Sequence, residues 1–474
     1  MSLGRRIGRN TLAKITGEVA SRGGGFLLYF LLARWLGPEA FGRYSFAFSY
    51  AVLFAVLVDL GTNVIVTREI ARRPDRLAEL VPRLNGLKVA STALFFTALA
   101  VSLPLTARGR EAAGLVLAAG VLVAATLLLE SLCAILSGIE RMELEALSKI
   151  LTRAGLIAGG VGGFWIAHTL AGTVTGLLIG MLAGLAATYF ILMRLGAPAA
   201  VRWDGPWNRT LLAHSLPLGI SWIFWNAYDN QDVVLLAYMR VPILGVGHFA
   251  AAMKVIDALR GVPVLITGAM FPLLSTRAAL DRADFGRLAA LLFDVLLAAA
   301  IPIAIGAWML APAVIRGIFG PSFEPAADVL RVAGWAAIGI FLNHALIHLL
   351  VSLDLQRLTI AGAAGAAAVN LAGLLILTPR FGLSGAAAAL VISEGAFLAI
   401  NLAILRDRAA GFWKRVGADA PKALAAGAVM AASLRWMLQA WPPLAAGAAS
   451  VAVYALTLAV LAGLPGLRAD RKRA

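Results

Sequence analysis

Eleven ionisable residues sit inside stretches that are otherwise apolar: Glu18, Arg22, Asp59, Glu130, Asp229, Asp232, Lys254, Asp257, Arg260, Asp294 and Glu394. A charge at the centre of a bilayer costs roughly 3 kcal/mol on insertion scales. All eleven facing lipid would cost on the order of 30 kcal/mol, an upper bound because several lie near segment ends. Most must therefore face one another or a wet cavity. Two kinds of chemistry are open to them: the cations can receive an anion, and the acids can balance those cations or handle a coupling ion.

Three groups stand out. Glu18 and Arg22 are spaced i to i+4 with the acid first, the favoured pairing order on a helix. Gly23-Gly24-Gly25 follows and lets another helix or a ligand approach the backbone. Arg22 either points into a cavity to meet an anion, or is neutralised by Glu18 or drawn to the inner face. Lys254, Asp257 and Arg260 form a second stripe at i, i+3, i+6. Lys254 lies about eleven residues from the outer end of its span, roughly 17 Å deep, too deep to reach water along its own stem. Asp257 can pair well with one cation and leaves the other for a ligand, unless the three form an internal network. Gly261 and Pro263 could bend this helix. The third group is Asn226-Ala-Tyr228-Asp229-Asn230-Gln231-Asp232, whose polar residues cover both faces of a helix and imply a wet vestibule. Trp222 and Trp225 before it could stack on sugar rings or belong to an interfacial belt. Asp59, Glu130, Asp294 and Glu394 have no charged neighbour in sequence and read equally as proton sites or structural acids.

The elements that position these residues follow from composition. Of 474 residues, 61% are hydrophobic and 14% charged, with a mean hydropathy of +0.86. A soluble protein carries about 25% charged residues. Lipid must be the solvent, which leaves helix bundles or closed barrels. Barrel strands alternate apolar and polar residues; here the apolar runs are continuous over about twenty, the length of a spanning helix. The fold class is all-α, a polytopic membrane protein of about fourteen transmembrane helices. Spans are expected near 13–33, 44–66, 84–107, 112–137, 146–167, 170–193, 212–238, 243–272, 288–312, 327–351, 357–378, 383–405, 420–440 and 444–464.

Cation placement tests that map, because Lys and Arg stay on the cytoplasmic side. With the N-terminus inside, 29 of the 41 cations fall in inside segments, nine outside and three within spans. The inside set includes Arg5, Arg6, Arg9, Lys14, Lys88, Lys149, Arg153 and the tail Arg468, Arg471, Lys472 and Arg473; the outside set includes Arg108 and Arg240. Both ends are thus expected in the cytoplasm. The net charge of +16 has topology as its cause, with no nucleic acid implied. No predicted loop has room for a soluble catalytic domain, and no cleaved signal peptide is expected. The single cysteine, Cys133, excludes an internal disulfide and a cysteine metal cluster. There is no Walker loop and no dinucleotide glycine pattern. His344 and His348 are spaced i to i+4 without an intervening catalytic Glu, a polar packing feature more than a metal site. Neither an enzyme, a cofactor nor a metal is expected.

The chain also resembles itself. Leu36–Tyr44 reads LGPEAFGRY and Val241–Phe249 reads VPILGVGHF, and each following span reaches a Thr-Arg pair, Thr67-Arg68 and Thr276-Arg277. The offset suggests two six-helix halves of equal orientation, as in parallel-repeat transporters. The expected divisions are 1–200, 201–410, and 411–474 as two additional helices with a basic tail.

The run LGPEAFGRYSFAFSYAVLFAVLVDLGTNVIVTREIARR at Leu36–Arg73 resembles polysaccharide-biosynthesis flippases of the Wzx type, in the multidrug/oligosaccharidyl-lipid/polysaccharide exporter superfamily. SGIERMELEALSKI at Ser137–Ile150 and VNLAGLLILTPRFGLSGAAAALVISEG at Val369–Gly395 are similar to the corresponding family segments. The resemblance implies two six-helix lobes in pseudo-twofold arrangement around a central cavity, and alternating access. It implies a lipid-linked oligosaccharide, carried on undecaprenyl pyrophosphate, as substrate. Arg22, Lys254 and Arg260 are where the substrate-binding cations would be expected. Glu18, Asp59, Asp229, Asp232, Asp257 and Glu394 would balance them or serve an H+ or Na+ coupling ion. The setting would be cell-surface polysaccharide or O-antigen lipopolysaccharide synthesis at a bacterial or archaeal cytoplasmic (inner) membrane, with a polymerase or glycosyltransferase as partners. The alternatives are a cation-coupled multidrug exporter of the same superfamily, which would need a net acidic or aromatic cavity, and a non-transporting scaffold of an assembly complex.

Overall fold

A computed structural model of the chain describes residues 3–239, 241–406, 408 and 412–463. Arg240 and the tail cations Arg468, Arg471, Lys472 and Arg473 lie outside the described residues, as do the side chains of Arg5, Arg6, Arg9 and Lys14. No strand occurs among the described residues.

Two long helices each contain two passes. Leu3–Leu53 is interrupted at Gly37, with φ 75° and ψ 170°, followed by Pro38. Thr359–Leu405 is interrupted at Gly382, with φ 59° and ψ −141°. Its 47 residues would extend about 70 Å as one rod, over twice the hydrocarbon thickness. A positive φ is open to glycine at little steric cost, so each glycine ends one pass and begins the next. Counted this way, the described residues hold fourteen helical passes: 3–36, 38–72, Leu77–Ser102, Ala107–Gly138, Met142–Ala167, Leu170–Arg194, Gly205–Tyr238, 243–280, Arg282–Phe319, 326–352, 359–381, 383–405, Ala420–Met437 and Pro443–Gly463. Each overlaps one expected span, and the chain is an all-α polytopic membrane protein.

Three passes are broken inside. The second unwinds at Leu60 (φ 53°) and Gly61 (φ 72°). The eighth is interrupted at Arg260, immediately before the expected bend at Gly261. The tenth bends by 44° between Ala326–Ala333 and Ala336–Ser352.

The chain forms two compact units, residues 1–247 and 248–474. In the first, the fifth and sixth passes form a glycine seam. A Cβ on Gly159 would overlap the carbonyl oxygen of Gly176, and the converse holds; Gly155 meets Gly180 and Gly163 meets Gly172 in the same way. Small residues four apart let membrane helices approach backbone to backbone. Trp35 stacks on Phe164 with ring centroids 5.4 Å apart, near the loop end of this hairpin. The self-similar runs also meet: a Cβ on Gly42 would lie 2.9 Å from the amide nitrogen of Gly247, and one on Gly247 would lie 3.1 Å from that of Gly42.

In the second unit the last two passes dock on the ninth. Ile301 and Ile305 share a buried cluster with Ala423, Ala426, Met430 and Tyr454. The Tyr454 hydroxyl donates to the Ala298 carbonyl at 2.7 Å. The tenth and twelfth passes are joined by polar side chains: Asn343 Nδ2 donates to Glu394 Oε2 at 2.8 Å and to its carbonyl at 3.0 Å.

The seam predicts a graded result. Gly176→Ala should lower stability by about 1–3 kcal/mol through overpacking, and Gly176→Leu should separate the two helices and abolish a monodisperse product. Size-exclusion chromatography and thermal melting of the detergent-purified variants provide the check.

Candidate functional site

The first unit concentrates charge where the first, fourth and fifth passes meet. Gly17 packs directly on Ala146, so the first and fifth passes cross closely. This brings the face carrying Glu18, Ser21 and Arg22 against a stripe of Glu145, Lys149 and Arg153 at i, i+4, i+8. Lys149 is the centre. Its Nζ lies 3.2 Å from Glu145 Oε1, 3.3 Å from Glu18 Oε2 and 3.7 Å from Glu130 Oε2. The Lys149 and Glu145 side chains are 11% and 6% exposed, and Glu145 also accepts a short hydrogen bond from the Ser137 hydroxyl. Glu18 turns its second oxygen to Arg22 Nε at 2.7 Å. Arg22 is the outermost member of the chain Lys149–Glu18–Arg22, its side chain 61% exposed.

The triple glycine beside Arg22 has an occupant. The stem of Arg153 lies over Gly24, and its guanidinium lies over Gly25 and donates to Ser21 Oγ at 3.4 Å. Gly23 faces open space.

In the second unit Asp257 is shared. Its Oδ2 lies 3.0 Å from Lys254 Nζ and its Oδ1 3.8 Å from Arg260 Nε. Two cations thus gather about one carboxylate at the point where the eighth pass is interrupted. The polar run of the seventh pass divides by face: Tyr228 and Asp232 are buried, Asp229 is exposed, and Asn230 donates to the Asn226 carbonyl at 3.2 Å. Trp222 is exposed.

The four acids without a charged neighbour in sequence all have partners in space. Asp59 Oδ1 lies 3.1 Å from Lys88 Nζ. Glu130 joins Lys149. Asp294 Oδ1 accepts the Gly417 amide at 2.9 Å. Glu394 accepts from Asn343. Two of these partners, Lys88 and Lys149, came from residues assigned to the inside count. Lys88, Lys149 and Arg153 lie near the ends of the expected spans and look like loop cations in sequence, yet Lys88 is only 4% exposed. The Glu145–Lys149–Arg153 spacing was the available signal for the fifth pass. The His344 and His348 rings lie 4.6 Å apart, centroid to centroid, tilted by 53°, and no cluster suited to a metal occurs among the described residues.

Comparison with known proteins agrees with this architecture. Residues 7–277 match the family described as "Polysaccharide biosynthesis protein", and the chain belongs to that family. No match is found among curated protein sequences. The fold is shared with solved structures of low identity. One is "Lipid II flippase MurJ, inward closed conformation", with TM-score 0.71 and 14% identity over 94% of this chain and 98% of that one. A second is the inward-facing conformation of a multidrug resistance MATE family transporter of the MOP superfamily, with TM-score 0.61 and 15% identity over 85% and 96%. A third is a MOP superfamily transporter from Pyrococcus furiosus, with TM-score 0.51 and 15% identity over 86% and 96%.

Removing Lys149 leaves buried Glu145 without its cation. Lys149→Met should therefore destabilise the protein by about 3–5 kcal/mol, while Arg22→Gln, at an exposed pair, should cost under about 1 kcal/mol. Thermal melting of the two variants measures the contrast, and adding Glu145→Gln to Lys149→Met should recover part of the loss.

Proposed function

We propose that this member of the polysaccharide biosynthesis family is a flippase that moves a lipid-linked oligosaccharide from the cytoplasmic to the outer leaflet. The observation that carries the reading is Arg22. Its guanidinium is fixed through Nε by Glu18, which is itself fixed by buried Lys149, and its side chain stays largely exposed inside an apolar pass. A planar guanidinium held by one edge can meet a phosphate oxygen pair with the other. The pyrophosphate of an undecaprenyl-linked sugar is the anion that such a site would help across hydrocarbon. Lys254 and Arg260 around Asp257 supply a comparable cationic centre in the second unit. Alternating access is the transport mode that goes with the reading, and H+ or Na+ would drive it. The glycan would be destined for the cell surface, with polymerase and glycosyltransferases as neighbours in the bacterial or archaeal cytoplasmic membrane.

Reconstituted protein tests this directly. Vesicles loaded asymmetrically with undecaprenyl-pyrophosphate oligosaccharide should lose the asymmetry in the presence of the wild type. Arg22→Gln should slow the exchange by about 10- to 100-fold, the loss of one charge-assisted contact. Equal flipping with Arg22, Lys254 and Arg260 all neutralised sinks the role given to these cations, and efflux of cationic dyes with no lipid movement sinks the flippase.

The orientation has its own check. In a Cys133→Ser background, Glu111→Cys should react with an impermeant maleimide in intact cells, and Glu140→Cys only after permeabilisation. The reverse pattern would place both ends outside.

A further inference from the structure

The break in the second pass frees backbone oxygens inside the first unit. In an unbroken helix the carbonyls of Val58 and Asp59 would accept from amides four residues ahead. Leu60 and Gly61 are left-handed, and the helix restarts at Thr62. Side chains take over. Ser91 Oγ donates to the Val58 carbonyl at 3.1 Å, and Thr62 Oγ1 to the Asp59 carbonyl at 2.7 Å. The remaining capacity goes to one group. Lys88 Nζ lies 3.3 Å from Val58 O, 3.4 Å from Asp59 O and 3.1 Å from Asp59 Oδ1. An ammonium has three N–H donors and no acceptor, and here three oxygens receive them.

This is the donor set of an alkali-cation site. Unwound membrane helices commonly offer carbonyls, with a carboxylate beside them, to a monovalent ion. The seventh pass closes over the break, since a Cβ on Gly219 would lie 3.1 Å from the Leu60 carbonyl oxygen. A crevice of about 540 Å³ in the same unit, lined by Leu84, Asn85, Lys88, Ser131 and Tyr189 among others, reaches the lysine from the side.

We infer that the break in the second pass is a monovalent-cation cage, and that the ammonium of Lys88 is its permanent occupant. The first unit thereby carries its cation covalently and takes no free ion at this position. The lengths of 3.1 to 3.4 Å are those of long N–H···O contacts to an ammonium; the similarly sized potassium ion would draw the oxygens in a little, and sodium would draw them in further. The inference is independent of the substrate, and its test reads stability, not transport.

Full-length Lys88→Ala, purified in detergent, is melted in ammonium, potassium, sodium and choline chloride at equal ionic strength, with tryptophan fluorescence as the signal. The wild type should melt at one temperature in all four salts. Lys88→Ala should melt lower in choline and recover by at least about 3 °C in ammonium or potassium. Lys88→Ala with Asp59→Asn should lose that recovery, because the carboxylate of the cage is gone. Should Lys88→Ala fail to fold in choline, folded yield on extraction in ammonium or potassium becomes the readout. Equal melting of Lys88→Ala in all four salts, equal loss in all four, or a recovery that survives Asp59→Asn would overturn the inference and leave an ordinary ion pair.

Discussion

Hydrocarbon provides no partner for a polar group, and this one constraint explains more of the structure than any single contact. Every interruption of a helix and every embedded charge must be answered by another part of the chain. The break at Leu60 and Gly61 is answered by Lys88, Ser91 and Thr62. Lys149 answers three carboxylates from three passes. Asn343 answers Glu394, and the Gly417 amide answers Asp294. These pairings join passes far apart in sequence, so they decide which helices are neighbours. Apolar packing against a solvent as apolar as the side chains discriminates less between arrangements.

The passes themselves were legible because a bilayer imposes a length. Fourteen apolar runs became fourteen helices, including the two pairs that continue through Gly37 and Gly382 with little loop between them. Lys88 and Lys149 sit close enough to the ends of the expected spans to count as loop cations, but their side chains turn to acids. Sequence distance hid those acids' partners: Asp59 and Lys88 are 29 residues apart, Glu18 and Lys149 131. No periodicity within one helix can reveal a contact between two. The two similar runs were visible in sequence, and only coordinates show that Gly42 and Gly247 press against each other.

Charges in the two units are organised differently. The first unit builds a chain in which a buried lysine fixes a glutamate and the glutamate fixes an arginine. The second places two cations around one aspartate at an interrupted helix. In the first, Lys149 and Glu145 are largely buried; in the second, the cations and the aspartate are partly exposed. Glycine serves the first unit's arrangement twice. Gly17 allows the crossing that assembles the charge chain, and Gly24 and Gly25 give the Arg153 stem and head room against the first pass.

The fifth and sixth passes are joined through only His168 and Thr169, and their glycines face one another along most of their length. All of those contacts are local in sequence. A hairpin of this kind can close as soon as its second arm leaves the ribosome, before later passes exist to support it. Its early closure would present the Glu145–Lys149–Arg153 stripe as a finished surface, on which the already synthesised first and fourth passes settle. The order of synthesis and the order of assembly then need not coincide, and the glycine seam would let the membrane receive the two helices together.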